Sequence, residues 1–338
     1  MRSYHKVILA IETSCDETAA SVCINGEICS NVIYQQKVHA NFGGVVPEVA
    51  SRAHLKKINQ VVKDSLKQAK IKLSDLTAIA VANGPGLMGS LLVGSGFAKG
   101  LAAALDLPLL PIDHLEAHSY AHFIDKPKPD LPFACLLVSG GHTFIFCLDK
   151  RRKWTLIGKT LDDAAGEALD KCAKVMNLTY PGGPEIDKRS KKGNHLAFSF
   201  GHPKVEKFNY SFSGLKTSFM NFIRKQEIKN PNFIADNLND LCASIQYTVV
   251  EYLLKNFRNY LVSNDIRNIG IAGGVAANSY LRKALAQMGH ELNAKVFIPD
   301  FAYCTDNAAM IAKAADIQYE ALVKREPNFI PYSRSPWK

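Results

Sequence analysis

His114 and His118 stand four residues apart in His114-Leu115-Glu116-Ala117-His118. On a helix that spacing stacks two side chains one turn apart, so both imidazoles can point at one ion. Asp113, directly before, is placed to cap such a helix. Two surface histidines on a polar face share the same spacing, and His122 continues the stripe, so the pair by itself is half a site. A protease of the His-Glu-x-x-His kind puts its general-base Glu directly after the first His, within reach of the metal-bound water. Here Leu115 holds that position. Glu116 falls about 200° around a 3.6-residue helix and points off the metal face, which argues against peptide hydrolysis. A third ligand is needed. Asp306, in Tyr303-Cys304-Thr305-Asp306-Asn307, is a candidate, with helix capping as its other use.

Phosphate chemistry needs backbone N–H groups that converge on oxygen, which a missing Cβ permits. Four glycine turns offer this: Gly84 to Gly89, Ser139-Gly140-Gly141-His142, Gly182-Gly183-Pro184, and Gly273-Gly274-Val275-Ala276-Ala277-Asn278. The first lacks the Lys-Ser/Thr of a P-loop. The second sits at a hairpin tip, the third opens a helix with Pro at its first position, and the fourth follows a strand into another helix. Chain reversal alone is the plain use of such turns. Glu167, Asp170, Glu185 and Asp187 flank the Gly182-Gly183 turn, where a carboxylate can accept both hydroxyls of a ribose or pair along a helix surface. Ser211 to Thr217, after the basic stretch Lys204 to Lys207, places Lys216 beside a glycine for phosphate or for solvent.

Strands and helices must hold these groups. Val7 to Ile11 reads as a buried strand, Glu12 to Thr18 as a turn, and Ala20 to Ile24 as the returning strand. Ala134 to Val138 and Thr143 to Cys147, around the Ser139 turn, repeat that hairpin. Helices are expected over Ser51 to Lys70, with Leu55, Ile58, Val62, Leu66 and Ala69 on the buried stripe, after Gly89, over Leu161 to Asn177, over Leu238 to Leu261 and from Asp306 onward. Asn268 to Ala272 reads as a strand, and the Pro-, Asp- and Lys-rich segment Ile124 to Pro132 as a linker. Alternating elements give an α/β class. A hairpin-first lobe made twice is the architecture of the actin, Hsp70 and sugar-kinase superfamily, an ATPase (RNase H-like) fold with a nucleotide cleft between lobes. The expected lobes are 1–129, with the C-terminal helix 306–338 packing back on it, and 130–305.

The 338 residues, 47% hydrophobic, are enough for two cores. A balance of 41 Lys and Arg against 31 Asp and Glu leaves +10, a surplus that attracts a polyanion such as tRNA. Eight cysteines scattered without a Cys-x-x-Cys suit a reducing compartment. No signal-like start or apolar stretch near the ~20 residues of a membrane span is read, so the expected location is cytoplasmic, without membrane contact.

In order along the chain, Ile8 to Thr18, His39 to Glu48, Gly84 to Leu87, His114 to His118, Val138 to His142, Pro181 to Gly183, Phe212 to Thr217, Gly273 to Asn278 and Cys304 to Asn307 resemble the tRNA N6-adenosine threonylcarbamoyltransferase family, once labelled O-sialoglycoprotein endopeptidase. The resemblance implies one divalent ion on His114, His118 and Asp306, iron with zinc as the alternative. It implies contacts to an adenylate from Leu137, Val138, Ser139, Gly140, Gly141, Asp170, Gly183, Asp187 and Asn278. The implied reaction moves a threonylcarbamoyl group from threonylcarbamoyl-adenylate to the N6 amine of the adenosine beside the anticodon, in tRNAs reading codons that begin with A. The implied partners are a non-catalytic paralogous subunit and a small P-loop ATPase. No family role attaches to His122, which is left as structural. A small-molecule or carboxylate kinase of the same superfamily is the alternative activity, and it would use no His-paired metal.

Overall fold

The computed structural model describes residues 6–201, 203, 205–323 and 329–337. It divides into two compact units, Met1–Lys128 with Pro299–Lys338, and Pro129–Ile298. The return to the first unit thus comes at Pro299, ahead of the expected 306.

The first unit is built on a five-stranded sheet, ordered β3-β2-β1-β4-β5. Its strands are β1 (Val7–Glu12), β2 (Glu17–Ile24), β3 (Glu27–Gln35), β4 (Ala78–Gly84) and β5 (Leu109–Asp113). β1 pairs antiparallel with β2 and parallel with β4. Every residue of β1 is buried, as a central strand covered on both faces requires, and its uninterrupted apolar run supplies that. Helices α1 (Pro47–Ala69) and α2 (Met88–Leu105) pack on each other, and α9 (Ala308–Leu322) lies along β1, β2 and β3. Ala308 to Ala315 are all buried, and their many small side chains let this helix approach the strands closely. Helix α2 is long and apolar enough, by composition alone, to pass for a membrane span, yet it packs against α1 and β4. The short α3 (His114–Tyr120) follows β5 directly.

In the second unit the sheet order is β10-β9-β6-β7-β8. The strands are β6 (Phe133–Val138), β7 (Thr143–Leu148), β8 (Trp154–Lys159), β9 (Asn268–Ala272) and β10 (Lys295–Phe297). Here the opening hairpin is β6-β7, paired from Phe133 with Leu148 to Val138 with Thr143. Helices α4 (Ala165–Val175), α5 (Gly182–Ser190), α6 (Ser213–Lys229), α7 (Phe233–Asn264) and α8 (Ser279–Glu291) complete it. Both units therefore have a mixed sheet led by an antiparallel hairpin, the duplicated α/β architecture read from the sequence.

Four expectations need correction. Leu55 is 70% exposed, because the buried stripe of α1 runs through Ala50, His54, Ile58, Val61, Val62, Ser65 and Leu66. A polar His54 takes the core position, bonded to Thr18 and to the Cys15 carbonyl oxygen. The helix expected from Leu161 starts at Ala165, since Asp162 and Asp163 are drawn to α6 instead. Pro184 is the third residue of α5, not the first; Pro181 precedes that helix. The final helix is shorter than 306–338: it ends at Leu322, and Pro331 and Pro336 oppose a helix through to the end of that range. Lys204, at the head of the expected basic stretch, lies outside the described residues.

Candidate functional site

Asp113 ends β5 and sets α3 in place: its Oδ1 accepts from the N–H groups of Leu115 and Glu116, both at 2.9 Å, while Oδ2 accepts from the Tyr332 hydroxyl at 2.6 Å. A cap of this kind contributes about 1 kcal/mol. Above it the rings of His114 and His118 stand edge to face, centroids 4.7 Å apart. Asp306, in the turn before α9, brings Oδ1 to 3.0 Å from His118 Nε2 and to 3.5 Å from His114 Nε2. One ligand atom from each of the three residues falls within 4.8 Å of the other two. Two imidazoles and a carboxylate are a donor set for iron or zinc, and three protein ligands leave coordination positions for substrate oxygens. The residues fit such an ion.

The sequence reading missed the support behind this trio. Glu12, closing β1 with no exposure at all, accepts from His114 Nδ1 at 3.0 Å, and the Ser14 hydroxyl lies 3.2 Å from the same nitrogen. A hydrogen bond at Nδ1 fixes the tautomer so that Nε2 carries the lone pair a ligand needs. The signal was present in Val-Ile-Leu-Ala-Ile-Glu: a carboxylate ending a fully apolar strand is buried only with a partner. Burial opposes charge on His114, but Glu12 and Asp306 outweigh it and lift its pKa to about 9. Burial together with Asp306, Asp16 and Glu12 pushes Glu17 up to about 9 as well. This density of carboxylates around two imidazoles is an environment that calls for a cation. His118 Nδ1 is buried and has no hydrogen-bond partner among the described residues.

Glu116 turns from the histidines to accept a hydrogen bond from Gln318 Nε2 of α9 at 2.9 Å. The general-base position of a zinc protease is therefore empty of carboxylate, as its spacing requires. His122 donates from Nδ1 to the Ser119 carbonyl oxygen, tied to the backbone of its own segment.

In the second unit the remaining candidates form a chain of contacts. Leu137 and Val138 end β6, and Ser139, Gly140 and Gly141 make the turn to β7. Gly273, at φ +85°, passes so near that an added Cβ would stand 2.5 Å from the Val138 carbonyl oxygen. Gly166 of α4 lies against the other side of the Ser139 turn, 2.6 Å from Ser139 O by the same measure. Asp170 Oδ1 accepts from Gly182 N at 2.8 Å and from Gly183 N at 3.2 Å, joining α4 to the start of α5. Asp187 Oδ1 accepts from the Ser279 hydroxyl at 2.8 Å, and Asn278 caps α8 while donating to Gln246 Oε1 at 2.7 Å. Side chains added at Gly140, Gly141, Gly183 or Gly274 would meet open space, as a cradle for a ligand requires. Glu167 and Glu185 are instead spent on i,i+4 pairs with Lys171 and Arg189. Lys216 pairs with Asp163 at 2.6 Å and Ser211 bonds Asp162, so that segment faces its own carboxylates.

A family model described as tRNA N6-adenosine threonylcarbamoyltransferase matches residues 27–313. Proteins of that name from Cytophaga hutchinsonii and Porphyromonas gingivalis are each 49% identical, over 99% and 97% of this chain and over 96% and 98% of their own. One from Clostridium perfringens is 50% identical over 92% of both chains. Among solved structures, full-length HypF in a phosphate- and nucleotide-bound form superposes with a TM-score of 0.62 at 12% identity, covering 96% of this chain and 56% of that one. Component A of the Acidaminococcus fermentans (R)-2-hydroxyglutaryl-CoA dehydratase gives 0.57 at 13% identity, covering 94% and 100%. These two share the actin-like ATPase fold only. Matched by the family model over most of its length, and nearly half identical to relatives from end to end, the chain belongs to the tRNA N6-adenosine threonylcarbamoyltransferase family, enzymes that transfer an acyl group to tRNA.

Proposed function

We propose that this enzyme takes threonylcarbamoyl-adenylate as donor and, as acceptor, the adenosine adjacent to the anticodon in tRNAs reading codons that begin with A. The N6 nitrogen attacks the carbamoyl carbonyl carbon, the bond from that carbon to the phosphate oxygen breaks, AMP departs, and a proton from N6 passes to water. The leaving group is already activated, so holding amine and carbonyl together is sufficient work and no protein nucleophile is needed. Cys15, the thiol near Asp306 of the histidine trio, agrees with this: burial and Asp306 push it far above the usual thiol range, which makes it a poor nucleophile.

His114, His118 and Asp306 would hold one divalent ion, iron by its liking for two His and a carboxylate and zinc as the alternative, which supplies Lewis-acid polarisation when bound. Glu12 keeps His114 in its ligating tautomer. N–H groups of the turn after Leu137 and Val138, through Ser139, Gly140 and Gly141, together with that of Gly183, receive the adenylate phosphate. Asp170 orients Gly183, and Asp187 with Asn278 takes the nucleoside. The resemblance further supports a paralogous non-catalytic subunit and a small P-loop ATPase as partners, and work in the cytoplasm, where tRNA is found.

The observation that carries this reading is the convergence of ligand atoms from residues 114, 118 and 306 within 4.8 Å, in a chain of this family. The test incubates purified protein, synthetic threonylcarbamoyl-adenylate and unmodified tRNA, and reads nucleosides by mass spectrometry. Threonylcarbamoyl-adenosine is expected from wild type and not from His114→Ala or Asp306→Ala, each with reduced metal content. Full activity in either variant defeats the metal assignment.

A further inference from the structure

The surplus of positive charge is unevenly distributed. Of the 41 basic and 31 acidic residues, 23 and 15 fall in 129–298, so that unit carries +8 of the +10. On its surface a groove of about 1040 Å³ runs between α7 and α8. Three rings from separate segments meet at one end: His195 after α5, Tyr247 of α7 and Tyr280 of α8. Centroid separations are 4.7 Å for His195 and Tyr247, 6.1 Å for Tyr247 and Tyr280, and 6.5 Å for His195 and Tyr280. His195 is exposed and both tyrosines are half-buried, so the cluster presents ring surface to solvent instead of filling a core.

Cations flank the rings. Lys255 and Lys283 are exposed and make no ion pair among the described residues, while Arg258 holds Glu291 at 2.7 Å. The other acid in the groove, Glu251, lies 3.5 Å from the Tyr280 hydroxyl. Glu291 is neutralised by Arg258 while Glu251 keeps its charge beside Tyr280, so Lys255 and Lys283 leave the groove with a surplus of one positive charge. Ring faces for stacking, beside cations spaced along a groove, are what single-stranded RNA recognition uses, because every base has a π-face and every linkage an anionic phosphate. The groove also adjoins the nucleoside candidates: Gln246 and Ser279 line its neighbouring hollow and bond Asn278 and Asp187.

We infer that the α7–α8 groove binds unpaired nucleotides of the tRNA, one base stacking on the His195, Tyr247 and Tyr280 cluster and the adjoining phosphates meeting Lys255 and Lys283. The inference rests on the proposed tRNA acceptor, and its test is a binding measurement that does not depend on transfer.

Fluorescence anisotropy of the full chain with an unmodified anticodon stem-loop RNA, and with the same stem closed as a duplex, reads the groove directly. The double variant K255E/K283E is expected to lose at least tenfold in stem-loop affinity, with a log–log salt slope shallower by about 1.4, at roughly 0.7 per single-strand phosphate contact. The variant K150E/K153E, equal in charge change and placed on exposed lysines at the β7–β8 turn, is expected to change affinity less than threefold. Tyr280→Phe keeps binding and Tyr280→Ala loses roughly 5- to 160-fold, the range for one stacked base. Equal losses from the two charge-reversal variants, or equal binding of stem-loop and duplex, overturn the groove in favour of diffuse attraction. Undiminished RNA affinity in K255E/K283E overturns it as well. Absence of nucleoside modification by wild type would count against the transfer reading alone and leaves this binding result to stand by itself.

Discussion

Glu12 accepts a hydrogen bond from His114 Nδ1 at 3.0 Å, with the carboxylate wholly buried and the imidazole nearly so. The contact joins the end of the first strand to a side chain 102 residues later, and makes the orientation of one candidate ligand depend on a group that touches no substrate.

Glu12→Gln keeps the volume and removes the charge. Loss of such a supporting carboxylate lowers metal affinity about 10- to 100-fold. Chelator competition with metal analysis should find that loss, and thermal unfolding of the metal-free protein should fall as well, because the buried partner of His114 loses its charge. Unchanged affinity would show that His114 needs no orienting partner.

In the metal-free protein His114, raised to about 9, carries a proton at neutral pH that a metal must displace. Apparent metal affinity should therefore climb with pH and level off near 9. Calorimetric titrations in buffers of different ionisation enthalpy should count about one proton released at pH 7, and about a quarter of one for Glu12→Gln if its loss returns His114 to the ordinary range.

His54 is fully buried, donates from Nε2 to the Cys15 carbonyl oxygen at 3.0 Å, and meets the Thr18 hydroxyl at Nδ1 at 2.8 Å, an arrangement for a neutral ring. Burial holds its pKa below the usual value. The unfolded chain gains a proton below about pH 6.5 that the folded one resists, so the stabilisation is complete above that pH and is lost as pH falls toward the folded pKa, by about 1.4 kcal/mol per unit of depression. Denaturant unfolding from pH 8 to 5 should show this loss, and His54→Gln should flatten it.

Glycines of the second unit should separate into two kinds. Gly273→Ala combines φ +85° with a Cβ placed 2.5 Å from Val138 O, and should destabilise by roughly 1–3 kcal/mol. Gly140→Ala, with open space around it, should unfold like wild type and yet weaken adenylate binding, measured by calorimetry with a non-hydrolysable analogue.

Much of this was legible in the sequence, for identifiable reasons. The two hairpins and β9 announce themselves by short apolar runs closed by polar turns, and α3 by its cap and histidine spacing. Leu55 misled because periodicity counts apolar residues, whereas α1 buries His54 through hydrogen bonds that no hydropathy pattern displays. Asp162 and Asp163 misled likewise: their side chains serve Phe212, Ser213 and Lys216, some fifty positions on, and hold back the start of α4. The role of Glu12 was hidden by a separation of 102 residues, since its partner is specified only once β1 and β5 share a sheet.

Asp306 follows His118 by 188 positions, and the whole second unit is threaded between them. A ribosome adding about 5–20 residues per second leaves the two imidazoles waiting on the order of ten to forty seconds for their carboxylate. The trio is therefore complete only late in biosynthesis, once Asp306 has joined the chain.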